Sequence, residues 1–117
     1  MMYKLINKQL LEIAEKNKLN YSYNSTCFKL ENGNDKISRL SIAFMTIGTY
    51  VLMIEINGDK KCLGRVSDVE TLFLLCVLRD NLNDKSFPNA LKEMYHTHEK
   101  IQEIEKELKS DANSTNQ

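Results

Sequence analysis

The spacing of apolar residues changes twice along this chain, and these changes restrict the folds open to it. Between residues 2 and 18 apolar side chains such as Leu10, Ile13 and Ala14 recur every three or four positions, the period of an amphipathic helix. From Tyr21 to Val66 the period falls to two, with β-branched and aromatic residues, which is typical of strands. After that the helical period returns. The pattern predicts a helix, a block of strands, and then further helices.

The middle block divides into four predicted strands, separated by residues that favour turns. Asn57-Gly58 is the strongest turn signal, because both residues accept the positive φ of a type I′ hairpin turn. A two-residue loop there pairs Glu55 with Lys60, whereas a three-residue loop sets Ile54 against Cys62, and the sequence leaves both registers open. The predicted strands are residues 21–30, 36–46, 49–56 and 60–66.

Two helices are predicted in the C-terminal part of the chain. Ser67 and Glu70 have the spacing of a capping box, in which each side chain binds a free backbone N–H at the start of a helix, so residues 69–82 are predicted to be helical. A third helix is predicted over 87–109, with Pro88 in its first turn. Residues 110–117 are small or polar and are expected to form a flexible tail.

The length of 117 residues accommodates one domain, which we place at residues 1–109. Hydrophobic residues make up 42% of the chain and charged residues 27%, which is typical of a globular protein. The predicted fold class is α+β: an N-terminal helix, a four-stranded antiparallel β-meander, and two C-terminal helices packed mainly on one face.

The charges of the chain balance overall but are distributed unevenly. Lys and Arg number 16, as do Asp and Glu, so the net charge is zero and gives no general attraction for nucleic acid or an anionic membrane. Cations outnumber acids in residues 1–66, and the reverse holds in residues 67–117. This asymmetry favours two faces that attract each other, within the fold or between copies, and the alternative is an acidic partner surface for the first half.

Cysteine usage and codon bias bear on where such a chain works. The three cysteines form no C-x-x-C pair and Met1 to Lys8 lacks an apolar run of signal-peptide length, so we expect reduced thiols and a cytoplasmic protein. The longest apolar run, Leu72 to Leu78, is too short to span a membrane. Lys and Asn, whose codons are A/T-rich, are abundant, while Gly and Pro, whose codons are G/C-rich, number only 4 and 1. This usage indicates an A/T-rich genome, such as that of a low-GC bacterium or of a phage or mobile element living in one.

Catalytic and metal-binding patterns are weak in this sequence. His96 and His98 lie two positions apart, and on a helix such residues do not face each other, so they do not predict a shared metal ion. Cys76 lies in an apolar run, where a thiol acts as a small hydrophobic group. With no Gly-rich phosphate-binding loop either, we expect neither an enzyme nor a cofactor, although a small enzyme using Cys or His chemistry is kept as a third alternative.

The remaining features favour contact with another macromolecule. The predicted third helix carries a long apolar stripe, which either folds back on the sheet or the second helix and is buried there, or binds a larger protein or a second copy of the chain. A phage or mobile-element inhibitor or adaptor of a host or defence protein is the concrete form of this hypothesis. The alternative is a nucleic-acid-binding accessory that uses a basic sheet surface. The aromatic residues Tyr21, Tyr23, Phe28 and Tyr50 would then serve as stacking platforms for bases. The predicted protein interface is Tyr95, His98, Ile101, Ile104 and Leu108, and the predicted basic contact is Lys60, Lys61 and Arg65.

Overall fold

The computed structural model describes residues 2–33 and 37–115, with side chains through residue 110. Within these residues, three helices and five strands follow one another in the order that the sequence predicts, a helix, then strands, then two helices. The elements are α1 (Met2–Asn17), β1 (Asn20–Tyr23), β2 (Cys27–Glu31), β3 (Arg39–Thr46), β4 (Thr49–Ile56), β5 (Asp59–Ser67), α2 (Asp68–Asn81) and α3 (Phe87–Thr115).

The strands form one antiparallel sheet in the order β1-β2-β3-β4-β5. This confirms the α+β class and the meander, but the predicted number of four strands is wrong. The predicted first strand, 21–30, is two strands, because Asn24 reverses the chain within it. Its Oδ1 accepts hydrogen bonds from the backbone N–H groups of Thr26 at 2.8 Å and Cys27 at 3.0 Å. Such a side-chain turn competes with the extended backbone.

The hairpin between β4 and β5 has the two-residue loop, so Glu55 pairs with Lys60. Asn57 and Gly58 both have positive φ, at 50° and 88°, as the predicted type I′ turn requires. Further along β5 the register shifts, with Leu52 opposite Gly64 and Met53 opposite Cys62. The extra residue between Gly64 and Cys62 is Leu63, which is buried, and Gly64 takes a φ of 80° to allow this bulge.

The helices cover one face of the sheet and enclose the core there. α2 packs against both α1 and α3. From the sheet, the alternate residues Tyr50, Leu52, Ile54 and Ile56 of β4 are all buried, as the period of two predicts. The helices add Ile6, Leu10, Ile13 and Ala14 from α1, Leu74, Leu75 and Leu78 from α2, and Phe87, Ala90, Leu91 and Met94 from α3.

The two C-terminal helices begin close to where the sequence places them. Ser67 caps α2, and its Oγ accepts the N–H of Glu70 at 3.1 Å, which confirms half of the capping box. The Glu70 carboxylate does not complete the box but instead contacts His98 of α3. α3 is helical through Thr115, beyond the predicted end at residue 109; residues 116 and 117 lie outside the described part, so the flexibility of a tail stays a prediction. In the part of the chain that is described, no helix has the length and apolar character needed to cross a bilayer.

Candidate functional site

The structure divides the predicted α3 interface into a buried part and an exposed part. Tyr95 packs against the core, and His98 is only 4% exposed. Ile101 is half-buried, whereas Ile104 and Leu108 are 55% and 64% exposed. Residues 102–110 are all exposed, and we call this segment the α3 extension. Of the five predicted interface residues, only Ile104 and Leu108 therefore lie on a freely accessible part of the helix.

The two histidines have separate partners, so they do not form a pair. Nδ1 of His98 lies 2.9 Å from Oε2 of Glu70, with the geometry of an N–H donating to a carboxylate. His96 is exposed and its Nδ1 lies 3.3 Å from Oε1 of Glu99, one helical turn away. Over residues 2–33 and 37–110, no group of three or more His, Cys, Asp or Glu side chains is placed to hold a metal ion.

The three residues of the predicted basic contact lie on different faces of β5. Lys61 is on the helix-covered face, where its Nζ lies 5.3 Å from the centre of the Tyr95 ring and 3.5 Å from Oδ2 of Asp59. Lys60 and Arg65 are exposed and pair with Glu55 and Val51, which belong to the uncovered face. The sheet therefore does not bring the three cations together in one patch.

The aromatic residues proposed as stacking platforms are also separated from the exposed cations. Tyr21 pairs with the buried Leu30 and Phe28 with the buried Ile42, so both aromatic residues belong to the helix-covered face. On the uncovered face Arg39 is instead flanked by acids, with ion-pair distances of 3.6 Å to Glu31 and 3.7 Å to Glu55. β5 is an edge strand, where lysine side chains and a bulge discourage pairing with another strand. Protection of this edge is one explanation for the cations of β5.

An open groove of about 890 Å³ lies at one end of the helix-covered face. We call it the aromatic groove. The first two turns of α1, the β1–β2 turn, the β3–β4 turn and the start of α2 enclose it. Its walls are mainly apolar. Its lining includes Tyr3, Tyr23, Phe44, Ile47, Tyr50 and Asp68.

Exposed apolar side chains surround the aromatic groove and extend from it. Tyr3, on α1, is 50% exposed and Tyr23, on β1, is 65% exposed. Phe44 contacts Tyr50 edge-on, with ring centres 5.8 Å apart, yet its outer side is open to solvent. Ile47, in the turn between β3 and β4, is 97% exposed. Ile47 therefore adds nothing to the core and continues the exposed apolar surface of the groove onto the hairpin tip.

A hydrogen bond and a ring contact fix the wall of the aromatic groove nearest to α1. The hydroxyl of Tyr21 donates to Oδ1 of Asn7, and the Tyr21 ring stacks on that of Tyr23 at 5.8 Å. Burial of the phenol, together with the nearby Tyr23, raises the pKa of Tyr21 to about 12. The neutral hydroxyl therefore persists across the physiological range and keeps this wall in place.

Among the described residues that line the aromatic groove, Asp68 is the one acidic or basic side chain. Its backbone N–H donates to the carbonyl of Gly48 at 3.0 Å, which places it beside the β3–β4 turn. Tyr50 has a raised pKa, because the hydroxyl is removed from water and because the Asp68 carboxylate is near. In the described part of the chain no Lys, Arg or His lies within ion-pair distance of Asp68.

The aromatic groove was not predicted from the sequence, although signals for parts of it were present. Phe44, Met45 and Ile47 stand around the turn marked by Gly48, where polar residues are usual. The sequence also places Tyr21, Tyr23 and Phe28 close together in the chain. The approach of α1 and the start of α2 to these residues, which makes the groove, depends on contacts distant in sequence.

No protein-family model, no curated protein and no solved structure matches this chain. The geometry of the described residues is therefore the basis for assigning a function.

The three cysteines are free, with Cys62 exposed and Cys27 and Cys76 partly buried.

Proposed function

We propose that this chain is a non-enzymatic interaction module that binds a larger protein through the aromatic groove and the adjoining hairpin tip. The observation that carries the proposal is the position of Ile47, 97% exposed beside a groove that already exposes Tyr3, Tyr23 and Phe44. Anchoring residues of protein interfaces are enriched in aromatic side chains that stand beside a pocket. A contiguous apolar surface of this kind is costly in water and is stabilised when a partner covers it.

The shape of the surface favours a protein partner over a small molecule. A small ligand would be enclosed by the walls of the aromatic groove and would leave the outward-facing Ile47 in solvent. A polypeptide that lies across the groove can cover both the groove and the tip of the hairpin. The proposed function is therefore occupation of a segment or surface of the partner.

Three further parts of the proposal rest on the sequence. The bias towards amino acids with A/T-rich codons fits a low-GC bacterium or a phage or mobile element living in one, and the free cysteines suit the reducing cytoplasm of such a host. In that setting a small binding module acts as an inhibitor or adaptor of a host or defence protein.

The test is a selection of random 12-residue peptides displayed on phage against the immobilised full chain, followed by affinity measurements with the enriched peptides. Ile47→Asp places a charge at the tip of the groove, and we expect it to weaken peptide binding at least about tenfold. Leu108→Asp makes the same change on the α3 extension and is the matched control. Loss of binding in Ile47→Asp alone supports the groove. Enriched peptides that respond only to Leu108→Asp would move the contact to α3, and the absence of any saturable binder counts against the module.

A second candidate, nucleic-acid binding, is favoured by the exposed Lys60 and Arg65 on the uncovered face of the sheet. Its test is binding of a fluorescent single-stranded oligonucleotide at about 50 and about 200 mM salt. Lys60→Ala and Arg65→Ala should each reduce the affinity and its dependence on salt, whereas Lys61→Ala, on the other face, should not. Absence of binding at the lower salt concentration excludes this candidate.

A further inference from the structure

We propose that the segment filling the aromatic groove is an apolar stretch of the partner protein that carries one lysine or arginine, whose cation pairs with Asp68 and lies against the groove's tyrosine and phenylalanine rings. This inference rests on the proposed function and specifies the chemistry of the partner. The proposed occupant of the aromatic groove is a polypeptide. Small cationic molecules and a second copy of the chain are outcomes that the test below can reveal.

The first argument is the sign of the charge in the aromatic groove. Asp68 is half-buried and, in the described part of the chain, has no cationic partner. The first turn of α2 favours the negative charge of Asp68, but an apolar segment laid over the carboxylate would still remove it from water without a countercharge, which is unfavourable. A partner that brings a cation to Asp68 removes this penalty, and a partner that brings an anion or a neutral group does not. The groove therefore selects a positively charged side chain among its apolar contacts.

The second argument is the arrangement of aromatic rings near Asp68. The buried Tyr50 lies near enough to Asp68 for the carboxylate to raise its pKa, and Phe44, which is 44% exposed and lines the groove, packs edge-on against Tyr50. Aromatic faces attract ammonium and guanidinium groups, most strongly where water is excluded. A lysine or arginine side chain also suits an apolar groove, because its aliphatic stem packs against the walls while the charged end reaches the carboxylate.

The fold already contains one cation held between an aromatic ring and a carboxylate, at Lys61. The Nζ of Lys61 lies 5.3 Å from the ring centre of Tyr95 and 3.5 Å from Oδ2 of Asp59. A tyrosine ring and an aspartate together hold this cation on the helix-covered face. The aromatic groove likewise combines an aspartate, Asp68, with the partly exposed rings of Phe44 and Tyr23, and no lysine stands among the described residues that line it.

The experiment uses the full chain and one peptide enriched by its dependence on Ile47. We expect that peptide to contain a Lys or Arg among apolar residues, and a second peptide is made in which Met replaces the cation. Affinities of both peptides are measured for the wild type, for Asp68→Asn and for the control Glu12→Gln. Glu12 is an exposed acid on α1 that does not line the groove. The four combinations of wild type and Asp68→Asn with the two peptides form a double-mutant cycle.

The expected result is that Asp68→Asn weakens binding of the cationic peptide about tenfold, leaves the Met peptide nearly unchanged, and that Glu12→Gln changes neither. Equal weakening of both peptides would show that Asp68 only shapes the groove, and this overturns the inference. Peptides that depend on Ile47 but carry no cation also overturn it, while the proposed function stands. If no peptide depends on Ile47, or if a second copy of the chain or a small cation occupies the groove instead, the proposed protein partner fails as well.

Discussion

His98 and Glu70 join the middle of α3 to the first turn of α2 through a contact of 2.9 Å between Nδ1 and Oε2. His98 is almost entirely buried, and the side chain of Glu70 is 20% exposed. The two residues are 28 positions apart in the chain, so the contact fixes how α3 crosses α2. It lies close to the position where the buried part of α3 ends and the α3 extension begins.

We predict that His98→Ala lowers the free energy of unfolding by about 2 kcal/mol, because it leaves a cavity and a partly buried carboxylate without its donor. His96→Ala is the matched control. Its ring is exposed and contacts only Glu99 on the same helix, so the change should stay within about 0.5 kcal/mol. Urea denaturation followed by circular dichroism measures both. Equal effects of the two substitutions would contradict a structural role for the His98 contact.

Truncation separates the buried part of α3 from its extension. A chain that ends at Asn83 lacks Leu91 and Met94, which are fully buried, and we expect it not to fold. A chain that ends at Gln102 keeps these residues and should melt cooperatively, within about 1 kcal/mol of the full chain. Circular dichroism and thermal melting measure both. A folded chain ending at Asn83 would show that the core does not need α3.

Self-association is predicted to depend on the α3 extension. Ile104 and Leu108 alone expose far less apolar surface than the roughly 800 Å² per partner buried in a stable interface, so association through them should be weak. Because weak association depends on concentration, we expect light scattering to show a mass that rises with concentration for the full chain. The chain ending at Gln102 should stay monomeric. A dimer that survives this truncation would place the contact on the sheet or the aromatic groove.

We predict that Gly64→Ala lowers the free energy of unfolding by about 1 kcal/mol, although no atom lies within 4 Å of the added Cβ. The cause is the backbone, since a φ of 80° is unfavourable for alanine. Gly33→Ala is the control, because its Cβ would meet the Lys18 carbonyl oxygen at 3.4 Å, an ordinary contact. Denaturant unfolding of the two variants distinguishes them. Equal stabilities would show that the bulge at Gly64 imposes no strain.

Tyr21 should make folding depend on pH in the alkaline range. Its pKa is raised from 10.0 to about 12 in the folded chain, so between these values the folded state keeps a proton that the unfolded state releases. The free energy of unfolding is therefore unaffected by Tyr21 below about pH 10 and falls as the pH rises towards 12. Tyr21→Phe should flatten this dependence, whereas Tyr3→Phe, at an exposed position, should not. Denaturation at several pH values checks the slope, and an unchanged slope in Tyr21→Phe contradicts the assignment.

Local sequence signals predicted most of the secondary structure. The buried alternation on β4, the Asn57-Gly58 turn and the Ser67 cap each depend on residues within a few positions of one another, and the structure confirms all three. The missed turn at Asn24 was also local. It was overlooked because Tyr21 to Leu30 reads as one alternating run, and the three hydrogen bonds to the Asn24 side chain outweigh that tendency.

The sequence by itself determined the α+β class, the antiparallel meander and the apolar faces of the helices, since these follow from the period of side chains along each element. Only the tertiary structure decided which apolar residues remained exposed. It buried His98 against Glu70, separated Lys61 from Lys60 and Arg65, and left Ile47 uncovered beside the aromatic groove. The physical reason is that exposure depends on which elements pack together over long sequence separations, and the periodicity of one element does not specify its neighbours.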